Sequence, residues 1–185
     1  MARDGNEEQK ENAVGALANL AVNDDNSVAI AAADGIEVLV ALARDGTERQ
    51  KVRAAGVLRS LAMNDDNRVA IAAAGGAEVL VSLARDGNER QKERAAGALW
   101  NLSVNHDNSV AIAAAGGIEA LVSLARDGNE GQKEEAAGAL WNLAINDDNS
   151  VAIAAAGGVE VLIALARDGT EIQKGGAALS ANDDH

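Results

Sequence analysis

The chain has 185 residues and a net charge of −13 at pH 7; 48% of its residues are hydrophobic, yet it holds two Trp and neither Phe nor Tyr. With no cysteine it has no disulfide framework, no zinc–thiolate site and no cysteine nucleophile. The acidic balance excludes a nucleic-acid role, since no surplus of Lys and Arg would displace phosphate counterions, and makes a basic or mixed-charge peptide or protein the expected partner. Residues 1–5 have no apolar signal core, and no apolar run nears the ~18 residues of a membrane span. A cytoplasmic or nuclear protein off the membrane is the expectation.

An internal repeat dominates the sequence. Ala-Arg-Asp-Gly ends at Gly5, Gly46, Gly87, Gly128 and Gly169, each 41 residues after the last. Asn23, Asn64, Asn105 and Asn146 recur in step, and residues 88–128 and 129–169 agree at 32 of 41 positions. With 42 Ala and no Pro, the composition favours helix throughout.

In chain order, 1–22 is a partial unit with one long helix over about 6–22, opened by a capping box at Asn6. The full units 23–63, 64–104 and 105–145 each hold three helical pieces. In the first, Asn23-Asp24-Asp25-Asn26 offers N-cap side chains for a short helix over 27–33 that stops at Asp34-Gly35. A second helix covers about 36–44, although Val38-Leu39-Val40 alone would also suit a strand. Gly46 is expected to take the left-handed position after it. Thr47-Glu48-Arg49-Gln50 then reads as a capping box opening a longer third helix to about residue 63, with equivalent boxes at Asn88, Asn129 and Thr170. The last unit, 146–185, loses its pattern after Lys174, and Asn182 opens its turn five residues early.

Nothing along this pattern suggests an enzyme, a metal site or a cofactor. His106 replaces the Asp24, Asp65 and Asp147 of sister units and reads as a solvated turn residue, while His185 is terminal. Ser60 and Ser103 have no His and Asp at triad-like spacing, and no glycine lies in a strand–GxGxxG–helix setting. Asn101-Leu102-Ser103 matches a glycosylation sequon but falls inside a predicted helix. The paired carboxylates Asp24-Asp25, Asp65-Asp66 and Asp147-Asp148 could attract calcium. They lack the alternate oxygens and distal Glu of a calcium loop, and helix capping explains them.

Three helices in each 41-residue unit describe an all-α, armadillo-type α-solenoid. The run Gly97-Ala98-Leu99-Trp100-Asn101-Leu102-Ser103, followed by Ala115-Gly116-Gly117-Ile118-Glu119-Ala120-Leu121-Val122, resembles the repeat pattern of the armadillo family, closest to beta-catenin and the plant U-box armadillo proteins. The resemblance implies a right-handed solenoid that binds an extended peptide or protein segment on its concave face without catalysis. In the family a recurrent Asn of the third helix holds the peptide backbone; by motif it maps to Asn19, Asn101 and Asn142, with Ser60 in the second unit. The period of 41 is one short of the family's usual length, and the second helix lacks the Pro of many natural units. Near-identical units also admit an engineered scaffold with no natural ligand, associating end to end through uncapped faces.

The family often places Trp four residues before that Asn; here the position is Gly15, Gly56, Gly97 or Gly138. Trp100 and Trp141 instead precede the Asn by one residue, with Ala18 and Arg59 in sister units. Side chains on a helix lean toward its N-terminus, so Trp100 is expected to cover Gly97 and Trp141 to cover Gly138. Whether the indoles are exposed anchors or pack against a neighbouring unit stays open, as does whether the Asn side chains bond a ligand or local backbone and water. Glu8 and Glu11, Arg49 and Arg53, Arg90 and Arg94, and Glu134 and Glu135 read as solvated pairs at the start of the third helices. As recognition elements they would select alternating charge.

Overall fold

The structure is a computed structural model describing residues 6–168. It opens with α1 (Glu7–Leu20), followed by α2 (Asp24–Ala32), α3 (Gly35–Asp45) and α4 (Glu48–Leu61). The pattern repeats as α5 (Asp65–Ala73), α6 (Gly76–Asp86) and α7 (Glu89–Leu102), then α8 (His106–Ala114), α9 (Gly117–Asp127) and α10 (Glu130–Leu143). It ends with α11 (Asp147–Ala155) and α12 (Gly158–Asp168), and there is no strand among the described residues. The expected degenerate last helix and the capping box at Thr170 lie outside the described residues. No single described helix is long and apolar enough to cross a membrane.

The caps explain this parsing. Asn23, Asn64, Asn105 and Asn146 each accept a hydrogen bond from the backbone N–H three residues on. The short helices therefore begin earlier than the sequence suggested. Asp24-Asp25, Asp65-Asp66 and Asp147-Asp148 fall inside the first turn, where the helix dipole favours negative charge. The capping boxes at Asn6, Thr47, Asn88 and Asn129 all form, each with Gln as the reciprocal partner.

The first and second helices of each unit meet at 80–83°. Gly75, Gly116 and Gly157 make that corner in the left-handed region with φ of 76–78°, while the first unit has Asp34 there with φ 55°. The expected left-handed Gly46 is a correction: its φ is −72° and its ψ 174°. Glycine is needed there for space, because a Cβ would strike the Leu42 carbonyl and approach Gln50 Oε1 to 2.8 Å.

Successive third helices pack side by side, α1 on α4, α4 on α7 and α7 on α10, and the second helix of each unit packs beneath its third. Leu58, Leu61, Leu99, Leu102, Leu140 and Leu143 are fully buried in this seam, each worth roughly 1.5–3 kcal/mol of transfer free energy. A polar clamp repeats along one end. The capping-box residues Gln50, Gln91 and Gln132 donate from Nε2 to the Glu that opens the preceding third helix, at 2.6 Å to Glu7, 2.8 Å to Glu48 and 2.8 Å to Glu89. One side chain thus caps its own helix and ties it to its neighbour. The bond from Gln50 holds the exposed Glu7 carboxyl below its ordinary range.

Candidate functional site

Four of the seven sequence-identified residues meet in one place. Arg59 and Ser60 at the end of α4 and Trp100 and Asn101 at the end of α7 line a cavity of about 290 Å³, together with Met63. Asn142 and Trp141 occupy the matching positions on α10, and Asn19 that on α1.

The Asn side chains form rungs between third helices. Asn101 Nδ2 donates to the Arg59 carbonyl at 2.9 Å, and Asn142 Nδ2 donates to the Trp100 carbonyl and to Ser103 Oγ, both at 3.2 Å. Each rung reaches a carbonyl in the last turn of the preceding third helix, where backbone N–H partners run out; the Trp100 carbonyl also accepts from Ser103 Oγ at 2.7 Å. Neither open reading of these residues included this bond. Asn101 Oδ1 accepts no hydrogen bond among the described residues, Asn19 is exposed, and Ser60 Oγ donates to the Gly56 carbonyl at 3.3 Å.

The expected seats of the indoles are corrected by the packing of one repeat on the next. Trp100 covers Gly138 of the following third helix, not Gly97 of its own, and a Cβ at Gly138 would overlap the ring. Arg59, at the register of Trp100, lies over Gly97 in the same way: a Cβ there would come within 2.8 Å of Arg59 Nε. Trp100 is partly buried against the core, whereas Trp141 is 36% exposed.

From the opposite side a second register leans over the same glycines. Arg53 approaches Gly15, Arg94 lies 3.8 Å from a Cβ at Gly56, and Glu135 Oε2 lies 2.9 Å from one at Gly97. At Gly97 the two registers meet, and Arg59 Nη1 contacts Glu135 Oε1 at 2.7 Å. This overturns the solvated-pair reading of Glu135, which is 7% exposed with no partner for Oε2 among the described residues. Burial pushes its carboxyl above the ordinary value, Arg59 opposes that, and Glu134 and Glu93 add to it. The Arg pairs also reach between repeats, Arg53 Nη1 donating to the Glu11 carbonyl at 2.7 Å and Arg49 pairing with Glu11 at 3.4 Å.

Met63 was missed by reasoning from the sequence, which named Glu135 but read it as solvated. Met63 had a periodic signal: Val22, Val104 and Ile145 stand at the same register, just before each Asn-led turn, and all four are exposed apolar side chains. Glu135 had none, because its partner lies two repeats away.

A family model described as Armadillo/beta-catenin-like repeat matches residues 64–104 and 105–145. A crystal structure of an engineered protein superposes with a TM-score of 0.91 at 35% identity, over 96% of this chain and 74% of its own. The designed armadillo repeat protein YIII(Dq)4CqI gives 0.92 at 27% identity, over 97% and 77%. Computationally designed armadillo repeat proteins for modular peptide recognition give 0.90 at 27% identity, again over 97% and 77%. No curated protein matches the chain. Period, helix order and these likenesses agree, and the chain belongs to the armadillo/beta-catenin-like repeat family.

Proposed function

We propose that the chain is a non-catalytic binder of an extended peptide, held along the face formed by α1, α4, α7 and α10. The carrying observation is the convergence of Arg59, Ser60, Trp100 and Asn101 on one cavity. The similarity to designs made for modular peptide recognition supports the same reading. Asn101 Nδ2 is bonded to the Arg59 carbonyl, so Asn101 serves the ligand chiefly through Oδ1, accepting a peptide N–H. Asn142 works alike, and the exposed Asn19 offers both donor and acceptor. Trp100 walls the cavity, Trp141 presents an aromatic face to an aliphatic or cationic side chain, and Arg59 opens the central position when it leaves Glu135. The net charge of −13 favours a basic or mixed-charge ligand.

Trp emission tests this directly, because the chain has two Trp and no Tyr. Titration with basic, mixed-charge and acidic extended peptides at low and moderate salt should give a saturable change for the first two classes. Affinity should drop at least tenfold in Trp100→Ala and Asn101→Ala. Emission indifferent to every peptide overturns the proposal.

A further inference from the structure

The two ends of the described residues expose the two halves of one repeat interface, and we infer that the 185-residue chain associates head to tail, with α1 of a second copy continuing the array beyond α10 and α12. This goes beyond peptide binding, and Trp141 belongs to both surfaces.

At the first end, α1 is a third helix, equivalent to α4, α7 and α10. Leu20 is 47% exposed, although Leu61, Leu102 and Leu143 at the same register are fully buried. Ala16 is exposed as well, against complete burial of Val57, Ala98 and Ala139. At the other end, Val159 and Ile163 of α12 are 48% and 51% exposed, while Ile118 and Val122 one repeat earlier are each 2% exposed. A cavity of about 650 Å³ opens beside α12, lined by Ala125, Lys133, Val161 and Leu165; the equivalent cavity one repeat earlier is about 240 Å³.

The register identifies a second copy as the occupant. Residues 6–20 match residues 129–143 at 11 of 15 positions, so α1 carries the sequence that fills a third-helix seat. The chain's own continuation does not carry it: the repeat pattern is lost after Lys174, and the turn at Asn182 comes five residues early, before a full third-helix sequence is complete. The indole makes the same choice. Trp100 requires glycine at its seat on Gly138, and the residue 41 positions further along the chain is Leu179. In a second copy it is Gly15, with Arg53 already leaning over it. Trp141 would lie on that glycine against that guanidinium, as Arg59 meets Glu135 over Gly97, here as a cation–π pair. The contact joins unlike faces, so it does not close on itself and grows into linear oligomers.

Sedimentation velocity of the full chain should show mass rising with concentration. Gly15→Leu fills the seat of the indole, and Trp141→Arg sets like charge against Arg53 at a register where Arg59 is native; each variant alone should remain monomeric with unchanged helical circular dichroism. Mixed one to one, they retain one good face each and should form a dimer and nothing larger. In a Trp100→Phe background, Trp141 emission should shift blue as association proceeds. The inference is overturned by a wild-type chain that stays monomeric at every concentration, by oligomers that persist in either single variant, or by Trp141 emission that is blue-shifted regardless of concentration and of Gly15→Leu. The last result would place the chain's own residues 169–185 in the seat.

Discussion

Arg59 and Glu135 belong to third helices two repeats apart, yet their side chains meet at 2.7 Å because Gly97, on the helix between them, has no side chain to separate them. The pair is unequal. The Arg59 side chain is a third exposed and can return to water, whereas the Glu135 side chain is nine-tenths buried.

Breaking the pair from its two sides should therefore have different effects. Arg59→Ala strands a buried carboxylate and is expected to destabilise by about 2 kcal/mol, below the cost of a wholly buried pair because solvent reaches the guanidinium. Glu135→Gln removes the buried charge and leaves Arg59 hydrated, at a cost of about 0.5 kcal/mol or less. Urea denaturation of the two variants measures the asymmetry, and equal losses would contradict it.

The same carboxyl gives a pH dependence of definite sign. Burial raises the folded-state value of Glu135 above its unfolded value, so the folded chain holds this proton more tightly. The resulting stabilisation is complete below the ordinary Glu value and is lost as pH rises through the raised one. Subtracting the stability–pH curve of Glu135→Gln from that of the wild type should isolate a fall with rising pH that begins near the ordinary carboxylate range.

Glycines at one register of the third helices should answer alanine in opposite ways. At Gly56 the nearest atom to a new Cβ is Arg94 Cδ at 3.8 Å, so Gly56→Ala is expected to stabilise by about 0.5–1 kcal/mol through helix propensity. At Gly138 the new Cβ overlaps the Trp100 indole, and Gly138→Ala should cost about 1–2 kcal/mol net of the same gain. In a Trp100→Ala background the Gly138 substitution should become stabilising, and a double-mutant cycle read by thermal unfolding checks the sign change.

The corner at Asp34 differs from its three counterparts, which are glycines. A left-handed non-glycine residue costs roughly 1–2 kcal/mol, partly recovered through the smaller unfolded-state entropy of a residue with a Cβ. Asp34→Gly is expected to raise stability by about 0.5 kcal/mol, measurable as a shift in the urea midpoint.

The helices were legible from the sequence because the cap residues recur every 41 positions, and the Asn-led turns and capping boxes appear where they were expected. Ser60, Trp100 and Asn101 were findable from one motif. The sequence did not reveal which glycine each large side chain covers, because single-helix geometry says nothing of the offset between stacked helices. That offset moves Trp100 from Gly97 to Gly138. It also brings Arg53 to the Glu11 carbonyl and joins Arg59 to Glu135, converting apparent surface charges into contacts between repeats. Gly46 failed for another reason: glycine after a helix signals either a left-handed turn or a tight approach, and composition cannot separate the two.

Linear arrays of repeats are commonly treated as chains of units coupled only to immediate neighbours. The ion pair over Gly97 adds a coupling that skips a unit, tying the second helical row to the fourth. Unfolding that advances from either end must sever this tie before the third row is released. Native-state hydrogen exchange should therefore find α4, α7 and α10 opening together, with less graded protection from centre to edge than purely adjacent coupling would give.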